Sequence, residues 1–410
     1  MSSSSKQMDK CLCVALISTD YPPLCTSAAV QMRDLAEEFV RQGHDLTVIV
    51  PSEDLALPWV IEKRNGVKVL ILAGPRTRHA SYVRRTISEL ILPFIMVFRL
   101  YQSPFRAMSL DLVAWYSPTI FFGPLIWFLK RMSNCKTYLI LRDIFPEWAL
   151  DLELIKNGPA FWFFKAIANF QYKMADTIGV QTTSNLVYLT NFSKKRSQSI
   201  EVLQNWQTPA KDIGSSIMVG NTALAGRNIF VYIGNMGIAQ GMDIFIDLSA
   251  RLMQRSDIGF LFVGRGSEVN RMKARVIELS ISNTLFFDEV DSSEMPGLLA
   301  QCHVGLLALD PRHKTHNIPG KFLTYLIAGL PVLARINKDT DLIQIIQENE
   351  VGRVYVGDSI EEFSEFAKKM IDSPKELNDM GFRGQILAEK MFSSSSAVNQ
   401  IVALISKKDL

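Results

Sequence analysis

A short apolar strand, a loop of small residues and an amphipathic helix open this chain, and the same succession begins again at residue 229. Residues 13–18 form the first apolar run, and residues 19–29 form a loop holding Pro22 and Pro23. Residues 31–42 then place Met32, Leu35, Ala36 and Phe39 at helical spacing before Gly43. Residues 46–50, 111–116, 137–141 and 177–180 read as further buried strands. The second series has strands at 229–233, 259–263, 284–287, 304–308 and 331–334, a glycine-flanked loop at 235–240 and a helix at 242–254. Strands alternating with helices require a parallel sheet covered on both faces. The pattern therefore predicts an α/β chain of two Rossmann-like, doubly wound domains. The length of 410 residues agrees, since it suits two domains of about 150–200 residues better than one core. The expected division is a first domain at 1–206, a polar linker at 207–228, a second domain at 229–385, and a helical segment at 386–410 returning to the first domain. Open sheets of this kind bind ligands outside the carboxyl ends of their strands, so a site is expected in the cleft that the two halves face.

Composition narrows the class. Apolar residues make up 48%, which is globular, and only residues 1–10 read as a loose tail. The five cysteines, Cys11, Cys13, Cys25, Cys135 and Cys302, are odd in number and scattered. They are expected to be small core residues in a reducing cytoplasm, and no secretory signal is read at the start. Residues 1–205 carry 23 Lys+Arg against 17 Asp+Glu, and the remainder carries 21 against 24. The apolar runs at 87–101 and 119–129 fall short of the roughly 20 residues that span a bilayer. They read as core or interdomain helices. The alternative is that a basic, aromatic flank with Arg76, Arg78, Arg84, Arg85, Lys165 and Lys173 lies on an acidic membrane surface.

The chemistry concentrates in a few loops. The loop at 19–29 carries no GxGxxG, so the fingerprint of a nicotinamide or flavin fold is missing where it belongs, and no GxxxxGK[ST] phosphate loop occurs. Residues 316–331 build a turn on Pro319 and Gly320 that delivers Lys321 at the start of a helical run ending at Gly329-Leu330-Pro331. A lysine and free helix N-terminal amides converging there suit a phosphate. Residues 234–241 (Gly234-Asn235-Met236-Gly237-Ile238-Ala239-Gln240-Gly241) leave backbone amides open for a phosphate or sugar, or simply turn the chain. Gly264-Arg265-Gly266 is too short a signal to identify a nucleotide loop by itself. Asp143 and Glu147 follow an apolar strand, where Asp143 can accept a proton or hold a sugar hydroxyl, or be neutralised by Arg142. The five histidines, His44, His79, His303, His313 and His316, show no HxxxH or HxH spacing, so no metal site is expected.

Taken together these residues resemble the GT-B glycosyltransferases, and within them the retaining family 4 enzymes of bacterial surface-polysaccharide synthesis. The marks are Tyr21-Pro22-Pro23, Gly43-His44, Gly234-Asn235-Met236-Gly237 with Gln240-Gly241, Gly264-Arg265-Gly266, and Pro319-x-Lys321 leading to Gly329-Leu330-Pro331. More narrowly, the chain is similar to hexosyltransferases that use UDP-linked N-acetylated deoxysugars such as UDP-N-acetyl-fucosamine in O-antigen or capsule pathways. The resemblance implies a metal-independent, cofactor-free transfer from a UDP-sugar to a polyprenyl-diphosphate-linked saccharide. It implies no nucleic acid partner, and peripheral contact with the inner face of the bacterial cytoplasmic membrane through the N-terminal domain. It makes Asp143 and Lys321 the candidate catalytic residues. Ser27, Gly234, Asn235, Gly237, Gln240, Arg265, Gly266, Asn317, Pro319, Gly320, Lys321 and Thr324 become donor-binding, with Arg142 and Glu147 on the acceptor side. The chain departs from the family where two glutamates eight positions apart are usual, since His316 and Thr324 stand there. The usual arginine and lysine of the second-domain loop are Asn235 and Gln240, and the usual His-Asp pair is Arg142-Asp143. A UDP-sugar 2-epimerase of the same fold, or an inactive assembly partner, are the alternatives.

Overall fold

A computed structural model describes residues 11–406 apart from 25, 78–81, 152–153, 194–197, 309–317 and 339. The loose tail expected at 1–10 lies outside the described residues, as do Cys25, His316 and Asn317. The chain forms two compact units, 1–204 with 394–410, and 205–393.

In the first unit the elements run β1 (Cys13–Ile17), α1 (Ser27–Arg41), β2 (Asp45–Ser52), β3 (Trp59–Arg64), β4 (Val67–Ala73) and α2 (Tyr82–Gln102). They continue with β5 (Leu112–Ser117), α3 (Gly123–Ser133), β6 (Lys136–Leu141), α4 (Glu147–Asp151), α5 (Pro159–Met174), β7 (Thr177–Val180), α6 (Leu186–Ser193) and β8 (Ser199–Val202). The sheet order is β3-β4-β2-β1-β5-β6-β7-β8, parallel throughout except for β3 against β4. Thr26 caps α1 by accepting from the Ala29 amide at 3.1 Å, and Gly43 ends it at φ +88°. The imidazole of His44 then accepts from the Leu12 amide at 3.3 Å, which ties the turn to the root of β1.

The second unit contains β9 (Asn228–Ile233), α7 (Asp243–Arg251), β10 (Ile258–Val263), α8 (Val269–Glu278), β11 (Thr284–Phe287), α9 (Met295–Leu299) and β12 (Val304–Ala308). It continues with α10 (Gly320–Ile327), β13 (Val332–Arg335), α11 (Asp341–Glu348), β14 (Gly352–Tyr355), α12 (Ile360–Ile371) and α13 (Pro374–Phe392). The last helix, α14 (Ser394–Ser406), belongs to the first unit, where Gln400 donates to Glu201 at 2.9 Å. The six strands of the second sheet are all parallel, in the order β11-β10-β9-β12-β13-β14. This is the doubly wound order, whose direction of winding reverses between β9 and β12. In β9, Phe230 and Tyr232 join one buried cluster with Phe260 and Phe262, while Val231 and Ile233 join the other with Leu261 and Phe322. Both faces are covered, so the strand reads as a continuous apolar run.

The expected α/β architecture of two parallel-sheet domains is therefore present. The stretch 207–228, expected as a linker, lies within the second unit. Its Ile217, Val219 and Leu224 are in that unit's core, and the Val219 amide donates to Gln301 Oε1 at 2.8 Å. A polar, glycine-containing sequence conceals these three well-spaced apolar anchors.

Candidate functional site

The second sheet's winding reverses between β9 and β12, and the strand ends there carry the loops singled out above. The loop after β9 has Gly234 at φ +95° and closes with Gly241 at +56°. Inside it the Gln240 side-chain oxygen accepts from the Gly237 amide at 3.0 Å and from Asn235 Nδ2 at 3.3 Å. Gln240 thus holds the loop's shape from within.

The loop after β10 supports the first from beside it. Gly234 N donates to Val263 O (2.9 Å), Met236 N to Arg265 O (2.8 Å), and Glu268 N to Met236 O (3.1 Å). Gly264 and Gly266 take φ of +146° and +155°, and a Cβ on either would sit 2.0 Å from Gly234 O or 2.1 Å from Met236 O. The Gly264-Arg265-Gly266 signal is thus explained by two backbones in direct contact. The Arg265 side chain is 81% exposed and paired with Glu289 at 3.1 Å. Such a solvent-exposed pair is worth little, so the guanidinium can be given up to an anion.

Lys321 comes from the helix that follows β12. Pro319 precedes α10, and the Phe322 amide donates to Pro319 O at 3.0 Å, so the Gly320 and Lys321 amides lie ahead of the helix's own ladder. The Lys321 ammonium donates to the Tyr232 hydroxyl at 2.6 Å and lies 4.3 Å from the centre of that ring. Burial pushes its pKa down to about 8. Thr324, one turn on, has Gln207 Oε1 at 3.1 Å and Gly320 O at 3.3 Å as alternative acceptors for its one hydroxyl proton. The sheet edge thus brings Gly234, Asn235, Gly237, Gln240, Arg265 and Gly266 into two adjoining loops, and sets Lys321 of the Pro319-Gly320 turn on the strand beneath the first loop.

In the first unit, Asp143 follows β6 at the surface, and desolvation by its surroundings raises its pKa against the pull of Arg142. Arg142 itself is buried, its guanidinium donating to Leu203 O at 2.6 Å and Gln204 O at 3.1 Å. Burial draws its pKa down to about 10. The side chain expected on the acceptor side thus secures the chain leaving β8, because two strand-end carbonyls need a donor there. Glu147, at the start of α4, is in an ion pair with Lys165 of α5. Ser27 is exposed at the first position of α1, which follows β1, two strands from β6 in the sheet.

Two residues of the second unit's constellation escaped sequence reasoning. Tyr232 sits in a strand that reads as plain core, and Tyr325 in a helix face that reads the same way. The available signal was a tyrosine two residues before the glycine loop, because a buried phenol needs a partner. Tyr325 finds its own on β9, where its hydroxyl donates to Val231 O (3.2 Å) and accepts from Ile233 N (3.1 Å). Among the described residues no group of three or more His, Cys, Asp or Glu is gathered in metal-binding fashion.

Residues 218–386 match the family model of glycosyl transferases group 1. The chain is 22% identical over 320 residues to the probable glycosyltransferase WbjE of Pseudomonas aeruginosa, covering 76% of this chain and 78% of that protein. It is also 22% identical over 352 residues to the putative colanic acid biosynthesis glycosyl transferase WcaI of Escherichia coli, covering 82% and 86%. The structure of HepE from Anabaena in complex with UDP and glucose superimposes with a TM-score of 0.64 at 13% identity, over 97% of this chain and 100% of that one.

Proposed function

We propose that this glycosyltransferase retains anomeric configuration while moving a sugar, of the N-acetylated deoxyhexose class, from UDP to a polyprenyl-diphosphate-linked saccharide in O-antigen or capsule synthesis. The observation that carries the reading is a half-buried lysine held on the strand end beside a glycine loop, at the reversal point of a doubly wound sheet. The relative named for colanic acid biosynthesis and the HepE complex with UDP and glucose support it.

In this mechanism the diphosphate lies on the 234–241 loop amides, Arg265 and the Gly320 and Lys321 amides. The bond between the anomeric carbon and the β-phosphate oxygen breaks, and its electron pair leaves with UDP. Lys321 and the amides stabilise the charge that develops on the leaving oxygen. The acceptor hydroxyl attacks from the same face and gives its proton to that departing phosphate. Asp143 orients a sugar hydroxyl. Thr324 faces the ribose in place of a glutamate. The test is a panel of UDP-, GDP- and TDP-sugars with a lipid-linked acceptor and an NMR assignment of the product anomer. Preference for a non-uridine donor, or an inverted product, sinks the reading.

The ammonium, and not the amine, attracts a diphosphate. UDP affinity is therefore expected to weaken as pH rises past about 8, approaching tenfold per pH unit on the alkaline side. Titration calorimetry between pH 6.5 and 9.5 checks this, with a flat Lys321→Met profile as the comparison. Unchanged wild-type affinity at pH 9.5 refutes the assignment of the charge to Lys321.

Membrane contact belongs to the same reading. Ile87, Ile91, Phe94, Phe98 and Tyr101 form one stripe on α2, each between 46% and 62% exposed. Arg84, Arg85, Arg99 and Arg106 accompany it. No helix among the described residues is long and apolar enough to cross a membrane, so such a stripe would lie in the interface of an anionic leaflet. The protein is expected to float with vesicles containing anionic lipid and to lose this with Phe94→Glu/Phe98→Glu. Equal flotation of wild type and variant removes the stripe from the account.

A further inference from the structure

We propose that Tyr232 is a positioning residue for glycosyl transfer, a hydroxyl relay that locks the lysine and the glycine loop into a single donor-binding unit. The inference rests on the reading of Lys321 as the diphosphate contact and adds the device that holds it.

The geometry is a chain of two hydrogen bonds. Lys321 Nζ donates to Tyr232 Oη at 2.6 Å, and that hydroxyl donates onward to the Asn235 carbonyl at 2.7 Å. A phenol has one proton to give, so an oxygen already committed to Asn235 O is left as an acceptor for the lysine. The two partners come from opposite sides of the sheet. Tyr232 packs in the cluster of Phe230 and Phe262, whereas the lysine's helix buries Phe322 and Tyr325 in the other. Tyr325, one turn along α10, fastens that helix to β9 on both sides of Tyr232 through Val231 O and Ile233 N. The lysine's root and its tip are therefore referred to the same three residues of strand, and the strand's next residues are the loop. A lysine has four rotatable bonds and loses much freedom when it binds. Holding it in advance removes that cost from donor binding.

The groups facing the ammonium matter for its charge. Among the described residues these are the Tyr232 ring and hydroxyl, while the Tyr325 hydroxyl is bonded to the strand on either side of Tyr232. Burial holds both phenols neutral, and burial alone is what depresses the lysine. The Tyr232 oxygen is thus the side-chain acceptor that favours the ammonium over the amine. Without it the ammonium would be less favoured still.

Tyr232→Phe keeps the ring and removes only the oxygen. The expected result is a rise in donor KM of about threefold at pH 7.5 that approaches tenfold above pH 9, as the alkaline limb of the kcat/KM profile moves down by about one pH unit. The loss should shrink towards pH 6, where the lysine stays protonated without help. In a Lys321→Met background the same change should affect KM less than it does in the wild type, because only the hydroxyl's bond to the Asn235 carbonyl remains to be lost. A Tyr232→Phe defect that is equal at every pH, or that adds in full to Lys321→Met, overturns the relay and leaves Tyr232 as packing. A Lys321→Met enzyme with wild-type KM and kcat instead refutes the underlying reading of the lysine. Thermal melts of both variants show that each measurement is made on folded protein.

Discussion

Lys321→Met is expected to lose roughly 10²–10³-fold in kcat, the typical consequence of removing one donor from the charge developing in a transition state, while the protein becomes harder to melt. The stability gain follows from the depressed pKa. Below about pH 8 the folded chain must keep an ammonium largely out of water, which costs about 3 kcal/mol relative to the unfolded chain. The unfolded chain binds the proton more tightly, so the penalty is full at pH 7 and fades as pH rises from about 8 towards the free lysine value. Methionine fills a similar volume with no charge. It gives up the hydrogen bond to Tyr232, worth roughly 1–2 kcal/mol, so the net gain is on the order of 1–2 kcal/mol. In a unit of this size that is a rise in Tm of roughly 5 °C, smaller at pH 9 than at pH 7. Calorimetric melts at both pH values, beside radiolabelled transfer assays, measure the two effects. A less stable Lys321→Met variant would show that the lysine is there to support the fold.

The largest expected loss of stability is at Gly264. An alanine there would place its Cβ 2.0 Å from the carbonyl oxygen of Gly234, and its φ of +146° strains any L side chain. The atom in the way is backbone, and the two loops are joined by the hydrogen bonds of Gly234, Met236 and Glu268. No side chain can turn aside to relieve the clash, so the loops must separate. Gly264→Ala is expected to cost at least about 4 kcal/mol, lowering Tm by roughly 10 °C and donor affinity by more than tenfold as the 234–241 amides shift. Gly220→Ala is the control, since nothing lies within 4 Å of a Cβ built there, and it should melt within about 2 °C of wild type. A Gly264→Ala protein with wild-type Tm and UDP affinity would contradict the contact between the loops.

The central strands were legible because a strand buried on both faces is an uninterrupted apolar run. Residues 229–233, 259–263 and 304–308 declare themselves in this way, and the structure has strands over each. No strand was expected at β3, β4, β8 or β14, although residues 69–73 of β4 form an apolar run of the same kind. β3 is a partly exposed edge strand and β8, Ser-Ile-Glu-Val, is another, so neither shows a clean run. In the site, the loop at 234–241 and the turn at Lys321 were visible because glycine and proline mark special backbone wherever they occur. The partners of Arg142 were not visible, since Leu203 and Gln204 offer it carbonyls, and carbonyls are common to every residue type.

The sequence by itself determined the alternation of strands and helices, the number of sheets, and the places where loops open beside strand ends. These follow from burial and backbone conformation, which are local and repeat along the chain. Only the tertiary structure decided that Gly264 and Gly266 serve a backbone contact, that 207–228 belongs to the second unit, and that Lys321 lies on Tyr232 with its charge weakened. Those properties depend on which distant segments exclude water from a group and which atom comes to face it. Tyr232 and Lys321 stand 89 residues apart in the chain and 2.6 Å apart in space.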